Sequence, residues 1–293
     1  MTQTFTTRTG NFPIGFRRGG SAWQKDLDGL LAWSKSNAFA CIDLGGDAAQ
    51  AGVKIVSAGL KIGSVDLLQG KDVISADKAK RADAIAKNAA FIEACARLGA
   101  HNFFAVVLPE NPAAPRAENF KLVLAGMQEL APALEKHGSR IVIEGWPGPG
   151  ALCCNPETYR ALFREVPSPA MGINYDPSHL IRMGIDPIRF LNEFADRVHH
   201  VHGKDCELIS EALYEVGHEQ GGIFTPGHRF GGNVWRYTIP GHGQMRWPQA
   251  FAILKQRGYQ GMVSIELEDE NFNGSTAGEQ AGLLHGARFL AGC

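Results

Sequence analysis

Residues 140–146 read RIVIEGW, a run of branched apolar side chains that ends on a carboxylate. Ile141, Val142 and Ile143 suit a buried strand, because branched side chains pack well on a pleated surface. Successive strand side chains point to opposite faces, so Val142 and Glu144 share one. An acid at the end of an apolar strand costs desolvation unless it is paired or binds a metal. The pattern returns. AMGINYD (170–176) ends on Asp176, 32 residues after Glu144. RVHHVHGKD (197–205) carries His202, 26 residues further on, and GMVSIELED (261–269) carries Glu266 after another 64. The first two intervals each match one strand-plus-helix repeat. The third is one repeat enlarged by an insertion.

The rest of the chain keeps the same alternation. Strand-like runs stand at FPIGF (12–16), FACIDL (39–44), KIGSVDLL (61–68) and NFFAVVL (102–108). Between them lie helical signals: a helix over Trp23–Lys35, an Ala-rich one after Gly46, and a long one capped by Ser75. The long helix carries an apolar face of Ile85, Ala89, Ile92, Cys95 and Leu98 at spacings of three and four. The next helix has Phe120, Val123, Met127, Leu130 and Leu134 on one side and stops at Gly138. Asn155-Pro156 and Asp186-Pro187 each read as an N-cap followed by proline at the first helical position. Further helices open at Trp247-Pro248 and span Gly278–Leu290.

Eight βα units in sequence predict an α/β protein, a single-domain (β/α)8 TIM barrel over residues 1–293. The alternative is a doubly wound open sheet. Against it, no G-x-G-x-x-G follows a strand and no phosphate-binding G-x-x-x-x-G-K-[ST] occurs. The one long connection, residues 206–244 after the seventh strand, is polar and Gly-rich. A connection of that length is expected to be an active-site loop.

Composition narrows the function. With 44% apolar and 20% charged residues the chain can build a sizeable core. A formal net charge of −1 disfavours a general nucleic-acid binder. No run approaches the roughly 18 apolar residues of a membrane span, and MTQTFTTRTGNFPIGF lacks the apolar segment of a signal peptide. The six cysteines are scattered, with Cys153 and Cys154 adjacent and no C-x-x-C pair, which predicts reduced thiols in a cytoplasmic protein.

In a barrel all strand C-termini point to one face, where active sites sit. Glu144, Asp176, His202 and Glu266 would therefore converge there. His200 and His202 share a face, as do Ser264 and Glu266. Three carboxylates and one imidazole cannot easily pair among themselves, and a divalent cation would neutralise them. Their mixed oxygen and nitrogen ligation suits Mn²⁺, Co²⁺, Mg²⁺ or Zn²⁺.

The segments IVIEGW, GINYDPSHL, HHVHGKD, IPGHG and GMVSIELED resemble the xylose isomerase-like barrel family. That superfamily includes sugar phosphate isomerases and epimerases, ketose 3-epimerases and AP endonucleases of family 2 type. The likeness is detailed over residues 140–270 and architectural over the whole chain. It implies a metal-dependent sugar isomerase or epimerase holding one divalent ion, with Mn²⁺ the leading candidate. By the same likeness Glu144, Asp176, His202 and Glu266 are its ligands, and Glu144 and Glu266 double as the acid/base pair. One takes a proton from the carbon beside a ketone and the other returns it on the opposite face. His179 of D-P-S-H is implied to hydrogen-bond substrate, and a homodimer or homotetramer is implied as the assembly. The chemistry is coherent: a metal on the carbonyl stabilises an enediolate, and a fixed glutamate lies within reach of the carbon.

Several neighbours have two readings. Trp146 is a stacking surface for a sugar or a core residue. Lys204 and Asp205 either form an ion pair near the site or touch substrate. Arg236 is a substrate contact or a loop-surface arginine. His179 sits in a Pro-Ser turn, where a backbone-bonded histidine is the alternative. His200 reads as a packed residue beneath His202, and of Arg17 and Arg18 one is placed to reach the pocket mouth while at least one is expected to be solvated at the surface. His228 and His242 lie in the long loop, where GHRFGG supplies flexible points for a lid.

The same site also serves a lyase or dehydratase, in which the enolate expels a β-leaving group from a 3-keto-sugar or 3-ketoglycoside. The enlarged loop departs from the compact epimerase pattern and keeps this alternative open. An AP-endonuclease-type phosphodiesterase would need further histidines after the third and fourth strands and a D-x-H pair. Those strands end in LLQG and VLPE, and the loop has no D-x-H. A non-catalytic binding module would hold no metal. The expected partner is a small sugar or polyol, with neither nucleic acid nor membrane.

Overall fold

The computed structural model describes residues 4–293, so the first three residues of the N-terminal stretch read for a leader lie outside it. The strands are β1 (Ile14–Arg17), β2 (Cys41–Leu44), β3 (Lys61–Asp66), β4 (Asn102–Val106), β5 (Arg140–Glu144), β6 (Met171–Tyr175), β7 (Val198–Gly203), β8 (Asp205–Leu208), β9 (Trp235–Thr238) and β10 (Val263–Ile265). Eight of them close into a barrel in the order β1-β10-β7-β6-β5-β4-β3-β2, while β8 and β9 form a separate two-stranded sheet. This is the (β/α)8 barrel that the alternation of strands and helices predicts.

One compact unit comprises Ile42–Tyr175 and Asp196–Val201. Its strands pair in parallel, with Val106 beside Glu144 and Glu144 beside Asn174. The helix Arg116–Lys136 buries Val123, Met127, Leu130 and Leu134 as its periodicity requires, and Gly138 follows in the left-handed region at φ +60°. The long helix differs from expectation. It spans Lys78–Ala96 and is capped by Asp77, whose carboxylate accepts from Ala79 N and Lys80 N. Ser75 instead donates to Glu110 Oε2 at 2.7 Å. The buried stripe of that helix runs through Arg81, Ala84, Asn88, Phe91, Ile92 and Cys95, leaving Ile85, Ala89 and Leu98 at its edge.

β6 and β7 slip register between Ile173 and Asn174, which pair with Val198 and His200. His199 is the extra residue, a bulge of the kind that re-aims side chains beside active sites. Burial, and then the charges of Arg140 and Arg197, push its imidazole down to about 4. The fold therefore holds His199 neutral at a pH where the unfolded chain protonates it. Its contribution is complete above the ordinary value of 6.5 and is lost as pH falls toward 4. We expect about 2 kcal/mol of stability to disappear on this account between pH 7.5 and 4.5. Urea unfolding of His199→Gln across that range should show a flatter acid limb, and an unchanged one would contradict this assignment.

The other unit contains the chain up to Cys41, Asp176–Ala195 and His202–Cys293. Here β1 pairs with β10 in parallel, Phe16 beside Ile265. The helix expected over Trp23–Lys35 is two helices, Ala22–Lys25 and Leu27–Ser36. Asp26 caps the second by accepting from Gly29 N at 3.2 Å. The stretch 206–244 is not a plain loop. β8 pairs antiparallel with β9 from Asp205–Thr238 to Leu208–Trp235, and Ser210–Val216 is helical. The aromatic and β-branched run Trp235–Thr238 is a good strand former that the surrounding glycines obscure. Asp205 anchors this ribbon. Its carboxylate accepts from the backbone N–H of Cys206 (2.9 Å), Met245 (2.9 Å) and Gly241 (3.3 Å) and from Trp247 Nε1 (3.1 Å). Gly243 is required beside it, because a Cβ there would lie 2.2 Å from Asp205 Oδ1. Asp205 thus braces IPGHG and is not the partner of Lys204.

All six cysteines are buried thiols. Among the described residues no helix is long and apolar enough to cross a membrane.

Candidate metal and catalytic centre

Asp176 is the N-cap of a short helix, Pro177–Arg182, where the sequence suggests only a turn. Pro177 takes the first helical position, where a missing N–H costs nothing. Asp176 Oδ1 accepts from Ser178 N at 2.9 Å and from Ser178 Oγ at 2.6 Å. With one oxygen so engaged, Oδ2 turns to Lys204 Nζ at 3.2 Å, His179 Nε2 at 3.4 Å and His202 Nδ1 at 4.0 Å. The local cap therefore aims a carboxylate oxygen at the cluster.

His202, on β7, is fully buried and has Glu266 Oε2 3.5 Å from its Nδ1. Glu266 immediately follows β10, and Arg17 Nε stands 3.3 Å from its Oε1. Lys204 is 1% exposed. Its ammonium donates to Glu266 Oε2 and, at 2.9 Å, to Glu268 Oε2, with the Tyr237 ring centroid 4.6 Å away. Burial alone would raise the Glu266 carboxyl, but Lys204, His202 and Arg17 hold it well below the usual carboxylate range. The surrounding charges therefore favour the ionised form of Glu266.

Glu144, at the end of β5, is buried and accepts from Asn174 Nδ2 at 2.8 Å. Glu144, Asp176, His202 and Glu266 each offer one ligand atom, and these atoms all lie within 4.8 Å of one another. The four residues singled out by strand-end parity are brought together.

The donor set fits a divalent cation. Glu144, Asp176, Glu266 and Glu268 bring four negative charges, and Lys204 and Arg17 bring two positive ones. The balance left over matches one doubly charged ion. Lys204, whose two readings are an ion pair near the site and a substrate contact, neutralises part of the cluster.

Two further acids and bases lie in the barrel strands. Asp43 on β2 accepts from Ser64 N at 3.0 Å and sits 2.8 Å from His200 Nε2. His200 is thus a packed polar residue, as its parity suggested. The strand-end signature does not select Asp43, because FACIDL places its acid one residue before the end of the strand.

The remaining candidates are spread more widely. His179 is buried beside Asp176, with its Nδ1 2.7 Å from Tyr237 Oη. Arg236 lies on the ribbon, bonded to Glu207 at 2.7 Å and within 3.5 Å of Glu270. Trp146 is half-buried and covers Gly148, where a Cβ would meet its ring at 1.8 Å. His228 pairs with Glu270 at 2.8 Å. A cavity of about 260 Å³ opens beside Glu266, lined by Arg17, Arg18, Phe230, Glu268 and Asn273 among others. Its polar groups suit a hydroxylated molecule.

The pattern of the xylose isomerase-like TIM barrel matches residues 21–293. The uncharacterized protein YfiH of Bacillus subtilis (strain 168) is 41% identical over 122 residues, 40% of this chain and 37% of that protein. The inosose dehydratase of Clostridium beijerinckii is 29% identical over 153 residues, 52% of this chain and 48% of the enzyme. The chain thus spans less than half the length of either relative. Among solved structures, the 3-keto-D-glucoside 4-epimerase YcjR from E. coli superposes with a TM-score of 0.68 at 15% identity, covering 96% of this chain and all of that one. That likeness shows the shared fold. With a closed eight-strand barrel and a family match over nearly its whole length, the chain belongs to the xylose isomerase-like TIM-barrel family.

Proposed function

We propose that the protein is a divalent-metal-dependent isomerase or epimerase that removes a proton alpha to the carbonyl of a ketose or related keto-polyol. The observation that carries this reading is the convergence of Glu144, Asp176, His202 and Glu266 within 4.8 Å, mixed in charge and ligand type. These four residues would hold the ion. When bound, it supplies Lewis-acid stabilisation of negative charge on the substrate oxygens.

The protein's own groups do the rest. Glu266, held ionised, takes the proton from carbon, and the C–H electron pair moves into the carbon–carbon bond as the carbonyl π pair moves onto oxygen. Glu144, protonated from solvent, then delivers that proton to the opposite face, and Glu266 releases its own to solvent. A carboxylate held ionised by Lys204, His202 and Arg17 is a weak base, and fixed proximity compensates for that. His179 contacts a substrate oxygen. Asp176 orients Lys204 and His179 through its Oδ2.

A second reading, β-elimination from a 3-keto-sugar or 3-ketoglycoside, is favoured by the buried ammonium of Lys204 and by the similarity to inosose dehydratase. The enolate pair would form the new C=C bond as the β C–O bond breaks, and Lys204 would protonate the departing oxygen.

The two readings part in D₂O. Mn²⁺-loaded protein incubated with ketohexoses and 3-ketoglycosides should place deuterium at the carbon beside the carbonyl and yield the epimer. Release of water or an aglycone with no epimer establishes the lyase. Neither exchange nor release on any substrate refutes both.

A further inference from the structure

Tyr237 lies on β9 of the inserted ribbon, 4% exposed, with its hydroxyl between two basic side chains. Arg182 Nη1 donates to Tyr237 Oη at 2.7 Å, and His179 Nδ1 stands 2.7 Å from the same oxygen on its other side. The guanidinium also lies over the Trp235 ring, 4.3 Å from its centroid, so neighbouring ribbon residues hold both ends of this contact.

We propose that Tyr237 and Arg182 are positioning residues that lock His179 in its Nε2–H tautomer and so make it a fixed hydrogen-bond donor to the substrate. A guanidinium has only donors, so the phenol oxygen must accept from Arg182. A phenol has one proton to give, and the acceptor 2.7 Å away is His179 Nδ1. That nitrogen then accepts, and the ring proton resides on Nε2. Burial pushes the Tyr237 phenol up, against the opposing pull of Lys204 and Arg182, so the proton stays on oxygen. His179 Nε2 faces Asp176 Oδ2 at 3.4 Å, on the side of the metal cluster. An Nε2–H there meets a carboxylate or a substrate oxygen favourably, whereas a bare Nε2 would set a lone pair against anionic oxygens.

The ribbon therefore serves as more than a cover: it carries the hydroxyl that selects the tautomer. The tautomer stands independently of the proposed function, whereas its use as a donor to substrate rests on that reading.

Nitrogen NMR of ¹⁵N-histidine-labelled protein, free of metal and substrate, tests the tautomer, with His179→Gln identifying the resonances. His179 should show a protonated Nε2 and a bare Nδ1. Tyr237→Phe removes the phenol proton and should shift the ring toward the Nδ1–H form. Arg182→Gln frees the phenol to accept and should shift it in the same direction, which covers a failure of the first variant to fold. With a turned-over substrate, Tyr237→Phe should lower kcat about 10- to 100-fold at unchanged metal content, the cost of misaligning one charge-assisted hydrogen bond. A protonated Nδ1 in the unaltered protein, or a tautomer that neither variant moves, overturns the proposal. If no substrate is found at all, the spectra still decide it.

Discussion

Replacing Glu144 or Glu266 with glutamine should reduce epimerisation by about 10²- to 10⁴-fold, the usual contribution of a positioned acid or base. The side-chain amide keeps an oxygen for a cation but cannot take a proton from carbon. The two variants should differ in a telling way. Each keeps one functional carboxylate on one face of the substrate. Each should therefore still wash deuterium into one epimer while failing to interconvert the two. Mass spectrometry of both epimers incubated in D₂O reads this directly, and elemental analysis separates loss of a base from loss of a ligand. Wild-type turnover in either variant, or loss of exchange from both epimers in each, would sink the two-glutamate scheme.

Lys204→Met should have the second-largest effect, and it appears without substrate. The ammonium is almost fully buried between Asp176 and Glu266, whose side chains are 0% and 16% exposed. Removing one member of a buried ion pair leaves the others uncompensated and typically costs about 3–5 kcal/mol. The metal-free variant should melt well below the parent protein. Mn²⁺ should then raise its melting temperature more than it raises the parent's, because the ion meets a more negative cage and no competing ammonium. Equal Mn²⁺ shifts would mean that Lys204 and the ion do not share the same carboxylates. A variant as stable as the parent would mean that the buried charges are neutralised in another way.

The barrel was legible because its signal is periodic and local. RIVIEGW, AMGINYD and RVHHVHGKD fall one repeat apart, and the parity of Val142 and Glu144 places the acid inward without knowledge of any neighbour. The four clustered residues follow from the same rule, since a barrel sends every strand end to one face. The ribbon was hidden because its strands are separated by polar, Gly-rich sequence whose pairing is set over a distance the local pattern does not encode. Tyr237 was hidden for a related reason. Its partners His179 and Arg182 lie 58 and 55 residues away, and nothing in WRYT marks a hydroxyl that will sit between them. The role of Lys204 was only half visible, because HGKD places a lysine near the site but does not say that it is inside. Asp43 is the opposite case, since FACIDL carries its acid inside the strand and strand-end reasoning passes over it.

The antiparallel pairing of β8 and β9 ends at Leu208 and Trp235, and Asp205 fastens the other end to four donors. Past that rung Ile209 N still donates to Val234 O, Phe230 O accepts from Tyr237 N at 2.8 Å and His228 reaches Glu270, so the outer segment is 210–227, where Tyr214, Ile223 and Phe224 stand exposed. Adjacent antiparallel strand ends are joined readily by a tight turn. The outer segment is therefore a cassette. Its length and chemistry can drift, or be exchanged in the laboratory, while the rungs below hold Tyr237 in place.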